Sequence, residues 1–108
     1  MNTLKIKKYS VWIGLATVVP IEGNNDLGDA DGAIVNILHW AKDKFDFEEK
    51  VKIQLTEYGY TLVDLEDIEL FDFGSSEKYR DNLGNLAQIV VDKKILQWGT
   101  FYTFDEEE

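Results

Sequence analysis

The residues that could do chemistry in this chain are carboxylates, one imidazole and an acidic loop rich in glycine. The loop, Asn24-Asn25-Asp26-Leu27-Gly28-Asp29-Ala30-Asp31-Gly32, carries oxygen ligands of the kind calcium takes. Its spacing does not fit an EF-hand. Aligning Asp31-Gly32 with the ligand and the glycine of that motif puts Leu27 at the first ligand position and Leu38 at the bidentate one. An irregular cation site in the loop stays open as an alternative to a plain acidic surface or a partner contact. His39, the single histidine, stands between Leu38 and Trp40, with Asn36 and Asp43 as its nearest ligand-type companions. It could serve as a general base, but no cysteine exists for it to activate, and a structural role is the default. Pairs of carboxylates could support glycosidase-like acid–base chemistry. With 21 acids such pairs arise by accident, so residue type alone does not single one out. No Walker-type glycine loop and no Gly-x-Ser-x-Gly elbow occurs. The reading is therefore non-enzymatic, with no cofactor and no metal.

Charge says more than any motif. The chain has 108 residues and a formal charge of −10, far outside what holding a phosphate backbone or an anionic membrane requires. Direct nucleic-acid and membrane partners are disfavoured, and a basic protein partner is favoured. The acids are also clustered. Between Lys52 and Lys78 there is no basic residue, yet Glu57, Asp64, Glu66, Asp67, Glu69, Asp72 and Glu77 fall there. A second interval without lysine or arginine, from Lys8 to Lys42, holds Glu22, Asp26, Asp29 and Asp31. Clustered carboxylates repel one another, which costs stability unless solvent or a cationic partner screens them. A solvated acidic face kept for solubility is the plain alternative.

The elements that must position these groups follow from periodicity. Tyr9 to Val19 reads as a strand apolar on both faces, with Gly14 marking a bend or a close backbone approach. Lys5, Lys7 and Lys8 ahead of that run imitate a secretion signal, but its β-branched residues and its ending at Val18-Val19-Pro20 fit a buried strand better. After the Ile21 to Gly32 loop, Ala33 to Ala41 reads as a second strand because Ile34, Val35 and Ile37 are β-branched. Asp46 and Glu49 suggest a capping box for a helix from Phe47 to Tyr58, with Phe47, Val51, Leu55 and Tyr58 on one face and Gly59 as its stop. In the strand from Tyr60 to Phe73 the alternation slips: Val63 and Leu65 share one parity, Ile68 and Leu70 the other. One extra residue near Glu66-Asp67, a β-bulge, repairs this. Ser76 is a candidate N-cap for a helix with Tyr79, Leu83, Leu86 and Val90 as its stripe, weakened by Gly84. A last strand runs from Ile95 to Phe104, packing through Trp98, Phe101 and Phe104, and residues 105–108 form an acidic end. The expected fold is a single α+β domain, 1–108, in the order strand-strand-helix-strand-helix-strand. Its sheet, mixed or antiparallel, is expected to be covered on one face by two helices.

These segments together resemble the bacterial immunity proteins. The resemblance lies in the Tyr-Ser-Val-Trp-Ile-Gly strand, the acidic Leu-Val-Asp-Leu-Glu-Asp-Ile-Glu-Leu strand and the closing Gly-Thr-Phe-Tyr-Thr-Phe strand of a small, acidic chain without cysteine. It covers most of the chain in character and carries no diagnostic motif, so no residue role transfers from it. It implies a cytoplasmic antitoxin without cofactor, of the contact-dependent growth inhibition type; the oligomeric state stays open, a monomer being favoured. Such a protein occludes the active-site groove of a cognate basic toxin, here expected to be a nuclease and first of all an RNase. Charge mapping assigns the toxin contacts to Asp64, Glu66, Asp67, Glu69 and Asp72 on the strand, with Asp26, Asp29 and Asp31 of the loop as a second contact. Phe71, Phe73, Tyr79 and Tyr102 are candidate aromatic anchors. An adaptor that binds some other basic protein is the alternative.

Overall fold

The chain's fold was obtained as a computed structural model, which describes residues 8–79 and 82–106. Lys5, Lys7 and the last two acids of the C-terminal end lie outside the described residues. Among the described residues five strands form one antiparallel sheet: β1 (Ser10–Pro20), β2 (Gly32–Ala41), β3 (Tyr60–Leu70), β4 (Gln97–Trp98) and β5 (Tyr102–Phe104). Two helices, α1 (Lys44–Glu57) and α2 (Leu83–Lys93), complete it, with a short 3-10 segment over Phe73–Lys78. The spatial order is β3-β1-β2, with β4 and β5 both pairing to the outer edge of β2. The α+β class, the strand reading of β2 and the central place of β1 hold as expected.

The covering of the sheet differs from expectation. An unbroken register from Ser10↔Ala41 to Val18↔Ala33 puts alternate residues of β1 and β2 on opposite faces. On one face Ala16, Val18, Ala33, Val35 and Ile37 meet Phe47, Val51 and Leu55 of α1. On the other, Val11, Ile13 and Leu38 meet Leu83, Ala87 and Val90 of α2. The helices therefore sit on opposite faces, because β1 and β2 are apolar on both sides and each side needs its own cover.

Three local expectations also shift. Helix α1 is capped one turn earlier than expected: Asp43 accepts the Asp46 N–H at 2.7 Å, and Asp46 accepts the Lys42 N–H at 3.0 Å. Acid-x-x-acid spacing occurs at both Asp43 and Asp46, so spacing alone does not choose between the two caps. The second helix starts at Leu83 instead of near Ser76, whose side chain lies outside the described residues. Gly84 thus falls in its first turn, where glycine costs little. The last strand is broken into β4 and β5, and their registers on β2, Ile37↔Trp98 and Ile34↔Tyr102, differ by one residue.

The expected bulge in β3 is present, together with a second one. Pairing with β1 shifts between Ile13 and Leu15 and again between Thr17 and Val18. At the first shift Asp67 adopts φ 56°, in the left-handed region. Two extra residues make the inward positions Leu62, Leu65 and Ile68 fall three apart, while Val63 is exposed. Opposite this bulge lies Gly14, and the edge of the Phe47 ring rests where its side chain would stand. A Cβ there would meet Phe47 at 3.0 Å, Leu65 at 3.2 Å and Ile68 at 3.3 Å. Overpacking of this kind costs about 1–3 kcal/mol, so Gly14→Ala is expected to lower the unfolding free energy by about that much in urea titrations. Adding Phe47→Leu should recover part of the loss, a coupling that a double-mutant cycle measures.

Candidate functional site

Three of the strand acids, Asp64, Glu66 and Glu69, share one face of the sheet. Residues facing each other across an antiparallel pair share a face, so Thr17↔Asp64 and Leu15↔Glu66 place both acids on the α2 side of the sheet. Helix α2 covers that side at Val11, Ile13 and Leu38. Beyond it the face is open: Ile34 is 37% exposed and Tyr102 51% exposed, while Leu15, Thr17 and Asn36 are half-buried. In register this open half consists of two rows, Asp64-Thr17-Ile34-Tyr102 and Glu66-Leu15-Asn36. The first row crosses four strands, roughly 14 Å at the usual interstrand spacing. It has an apolar middle and an acidic border along β3, the free edge of the sheet.

Of the other expected strand contacts, Glu69 and Asp72 have local partners. Glu69 pairs with Lys78 at 3.7 Å, both exposed. Asp67 occupies the bulge. Asp72 accepts the Gly74 N–H at 3.0 Å and donates its own N–H to the Tyr79 hydroxyl, shaping the entry to the 3-10 segment. Asp64 and Glu66 have no ion pair among the described residues. Their mutual repulsion raises the Glu66 carboxyl above its ordinary value, Asp64 being the first cause and Asp67 a lesser one. The acidic loop stands apart from them, at the end of the sheet where β3 begins. Asn24 donates to the Gly59 carbonyl at 2.8 Å and accepts the Asp26 N–H at 2.9 Å. Gly59, at φ 91°, stops α1 as expected and leaves room for Asn24 as well. Asp31 accepts the Glu106 N–H at 2.6 Å, and Asp29 is exposed. Asp26 borders a cavity on the α1 side. Asp26 and the strand pair Asp64–Glu66 thus look out from different faces.

No protein-family model matches this chain, no curated protein matches it in sequence and no solved structure matches its fold. Among the described residues no group of three or more His, Cys, Asp or Glu side chains is placed to hold a metal ion. No helix among them is long and apolar enough to cross a membrane.

His39 belongs to the core. It is 8% exposed, on the α1 side and directly across from Trp12, whose buried indole N–H has no hydrogen-bond partner among the described residues. Its Nδ1 accepts the Trp40 N–H at 2.8 Å, which leaves the proton of the neutral ring on Nε2. Burial first and the Lys50 charge second push its pKa down from 6.5 to about 4, against a smaller opposing pull from Asp46. The sequence signal for this role was its apolar neighbourhood, Leu38 and Trp40. Leu15 and Ile34 escaped sequence reasoning because cross-strand register, not composition, brings them beside the acids.

Since the unfolded chain binds a proton near pH 6.5 and the folded chain only near pH 4, the stability tied to a neutral His39 is complete above pH 6.5. It is lost as the pH falls towards 4, by up to roughly 3 kcal/mol. Wild type and His39→Leu, compared by chemical denaturation across that window, should differ by this slope, which the variant lacks.

Proposed function

We propose that this chain is a non-catalytic inhibitor of the immunity-protein kind. In this reading the open half of the sheet, bordered by Asp64 and Glu66, docks a basic toxin domain. The toxin is a nuclease whose groove is basic because it holds phosphates, with an RNase the first candidate. Occluding that groove requires no cofactor and no chemistry, and it takes place in the cytoplasm, where a delivered toxin meets its substrate.

The single observation that carries the reading is that Asp64 and Glu66, with no ion pair among the described residues, border the exposed Ile34 and Tyr102 in two adjacent register rows, Asp64-Thr17-Ile34-Tyr102 and Glu66-Leu15-Asn36. A solubility device needs charge but not Ile34 and Tyr102 uncovered beside it. A protein-binding face uses both: charge steers the encounter, and a few apolar anchors hold the complex. The two bulges and the acids of β3 also oppose pairing of this free edge with another strand. They leave the face, and not the edge, as the surface for a partner.

The experiment takes the protein encoded next to this chain's gene. Co-purification at low salt and loss of the partner's nuclease activity at equimolar ratio are expected. The double variant Asp64→Lys with Glu66→Lys should slow association by about 10–100-fold and remove most of its salt dependence. Unchanged association would overturn the assignment of the face, and binding without inhibition would make the chain an adaptor instead.

A second measurement concerns the cost of the acid pair. Because the folded Glu66 carboxyl is raised, the folded state binds more protons than the unfolded one around and above that group's ordinary range, so the repulsion weakens the fold as pH rises. Glu66→Gln should therefore melt higher than wild type at pH 7, with the gain shrinking in acid, while binding the partner more slowly. A variant that melts lower at pH 7 would count against repulsion at this pair.

A further inference from the structure

On the α1 side, away from the Asp64–Glu66 pair, Trp98 is met edge-on by Tyr58, at 5.1 Å and 63°, and by Tyr60 and Phe101. Trp98 lies 6.0 Å from Tyr60 at 89° and 5.0 Å from Phe101 at 81°, and Tyr60 and Phe101 are 5.8 Å apart at 39°. The break between β4 and β5 creates this corner. In an unbroken strand Trp98 and Phe101 have opposite parity; the one-residue shift in register brings both to the α1 side together with Thr103. With Leu27 and Asp26 they border a cavity of about 400 Å³. Asp26 stands at its rim, close enough to the Tyr60 phenol to help raise it; burial is the larger cause, and a hydrogen bond from Asn24 opposes.

The rest of the surface provides an internal comparison. Lys50 lies 4.9 Å from the centre of the Tyr9 ring, Lys78 5.1 Å from Tyr79 and Lys94 4.3 Å from Trp40. Among the described residues no lysine or arginine lies over Tyr60, Trp98 or Phe101. The segments that build the corner, residues 21–31, 57–62 and 95–106, contain Glu22, Asp26, Asp29, Asp31, Glu57, Asp105 and Glu106 and no basic residue. Faces of aromatic rings attract cations, a carboxylate at the rim adds to that attraction, and the surrounding charge is negative.

We propose that Trp98 and Phe101, half-buried over the core residue Tyr60, form a receiving site for the cationic end of a lysine or arginine side chain on a protein partner, with Asp26 as its counter-charge. A side chain is favoured over a free small cation because Asp29, Asp31, Asp105 and Glu106 extend the negative field along the same end of the sheet, which suits a basic segment of chain. The assignment does not rest on the reading of the β3 face and can hold or fail separately from it.

The test titrates the uniformly ¹⁵N-labelled full chain with blocked tripeptides Gly-Lys-Gly and Gly-Arg-Gly, with Gly-norleucine-Gly as the neutral control and choline as a free cation. The basic peptides should shift the Trp98 indole N–H and the amides of Asp26, Leu27 and Phe101, saturating in the millimolar range, with norleucine about tenfold weaker. Asp26→Asn should weaken the basic peptides several-fold and leave norleucine unchanged. Phe101→Leu keeps the apolar volume but loses a ring face, and should bring lysine and norleucine to equal affinity. Asp64→Lys with Glu66→Lys should leave these titrations unaltered, which separates this site from the β3 face. Equal binding of lysine and norleucine by wild type, no shifts at these residues up to about 50 mM peptide, or choline binding more than about tenfold tighter than the peptides would each overturn the proposal.

Discussion

The seat of Phe47 on Gly14 is the contact on which the rest of the arrangement turns. Phe47 is fully buried at the start of α1, and β1 admits its ring only because Gly14 has no side chain. Leu65 and Ile68 of β3 close the same seat from the other side. In a regular strand these two have opposite parity. The bulge at Asp67 lets both face the ring, so glycine, bulge and helix position form one constraint. Interiors are packed too tightly for any one of them to change alone.

That constraint has consequences on the other face. With α1 fixed over one side of β1 and β2, the apolar residues Val11, Ile13 and Leu38 on the opposite side need a separate cover, which α2 supplies over only part of the sheet. The uncovered half is where Leu15, Thr17, Ile34 and Tyr102 meet the acids of β3. The bulges that serve the core also irregularly space the acids of β3, sending Asp64 and Glu66 to the open face while Asp67 takes up the left-handed bulge position. At the opposite edge the same device recurs: the break at Gly99 turns Trp98 and Phe101 to one side. Both candidate surfaces are thus products of strand irregularities.

Much of this was legible along the chain because it is local. The alternation slip between Leu65 and Ile68 announced the bulge, and Gly14 within an apolar strand announced a close approach. Gly59 announced the end of α1. The same slip between Trp98 and Phe101 was readable too, but ten residues rich in large side chains looked like one strand. Asp43 and Asp46 show a different limit, since two acids at the same spacing offer two registers for one cap, and only the backbone chooses.

Composition and order alone determined that this is a cysteine-free acidic α+β domain with two clusters of carboxylates, because net charge, periodicity and turn chemistry are properties of short windows. Only the tertiary structure decided which carboxylates stand together. Pairing brings Asp64 beside Thr17 and Ile34, residues distant in sequence, and separates it from the loop acids that charge mapping had joined to it. Side-chain direction in a sheet depends on register and on every bulge before the residue in question. A cluster in sequence therefore becomes a site in space only after the whole sheet has been assembled.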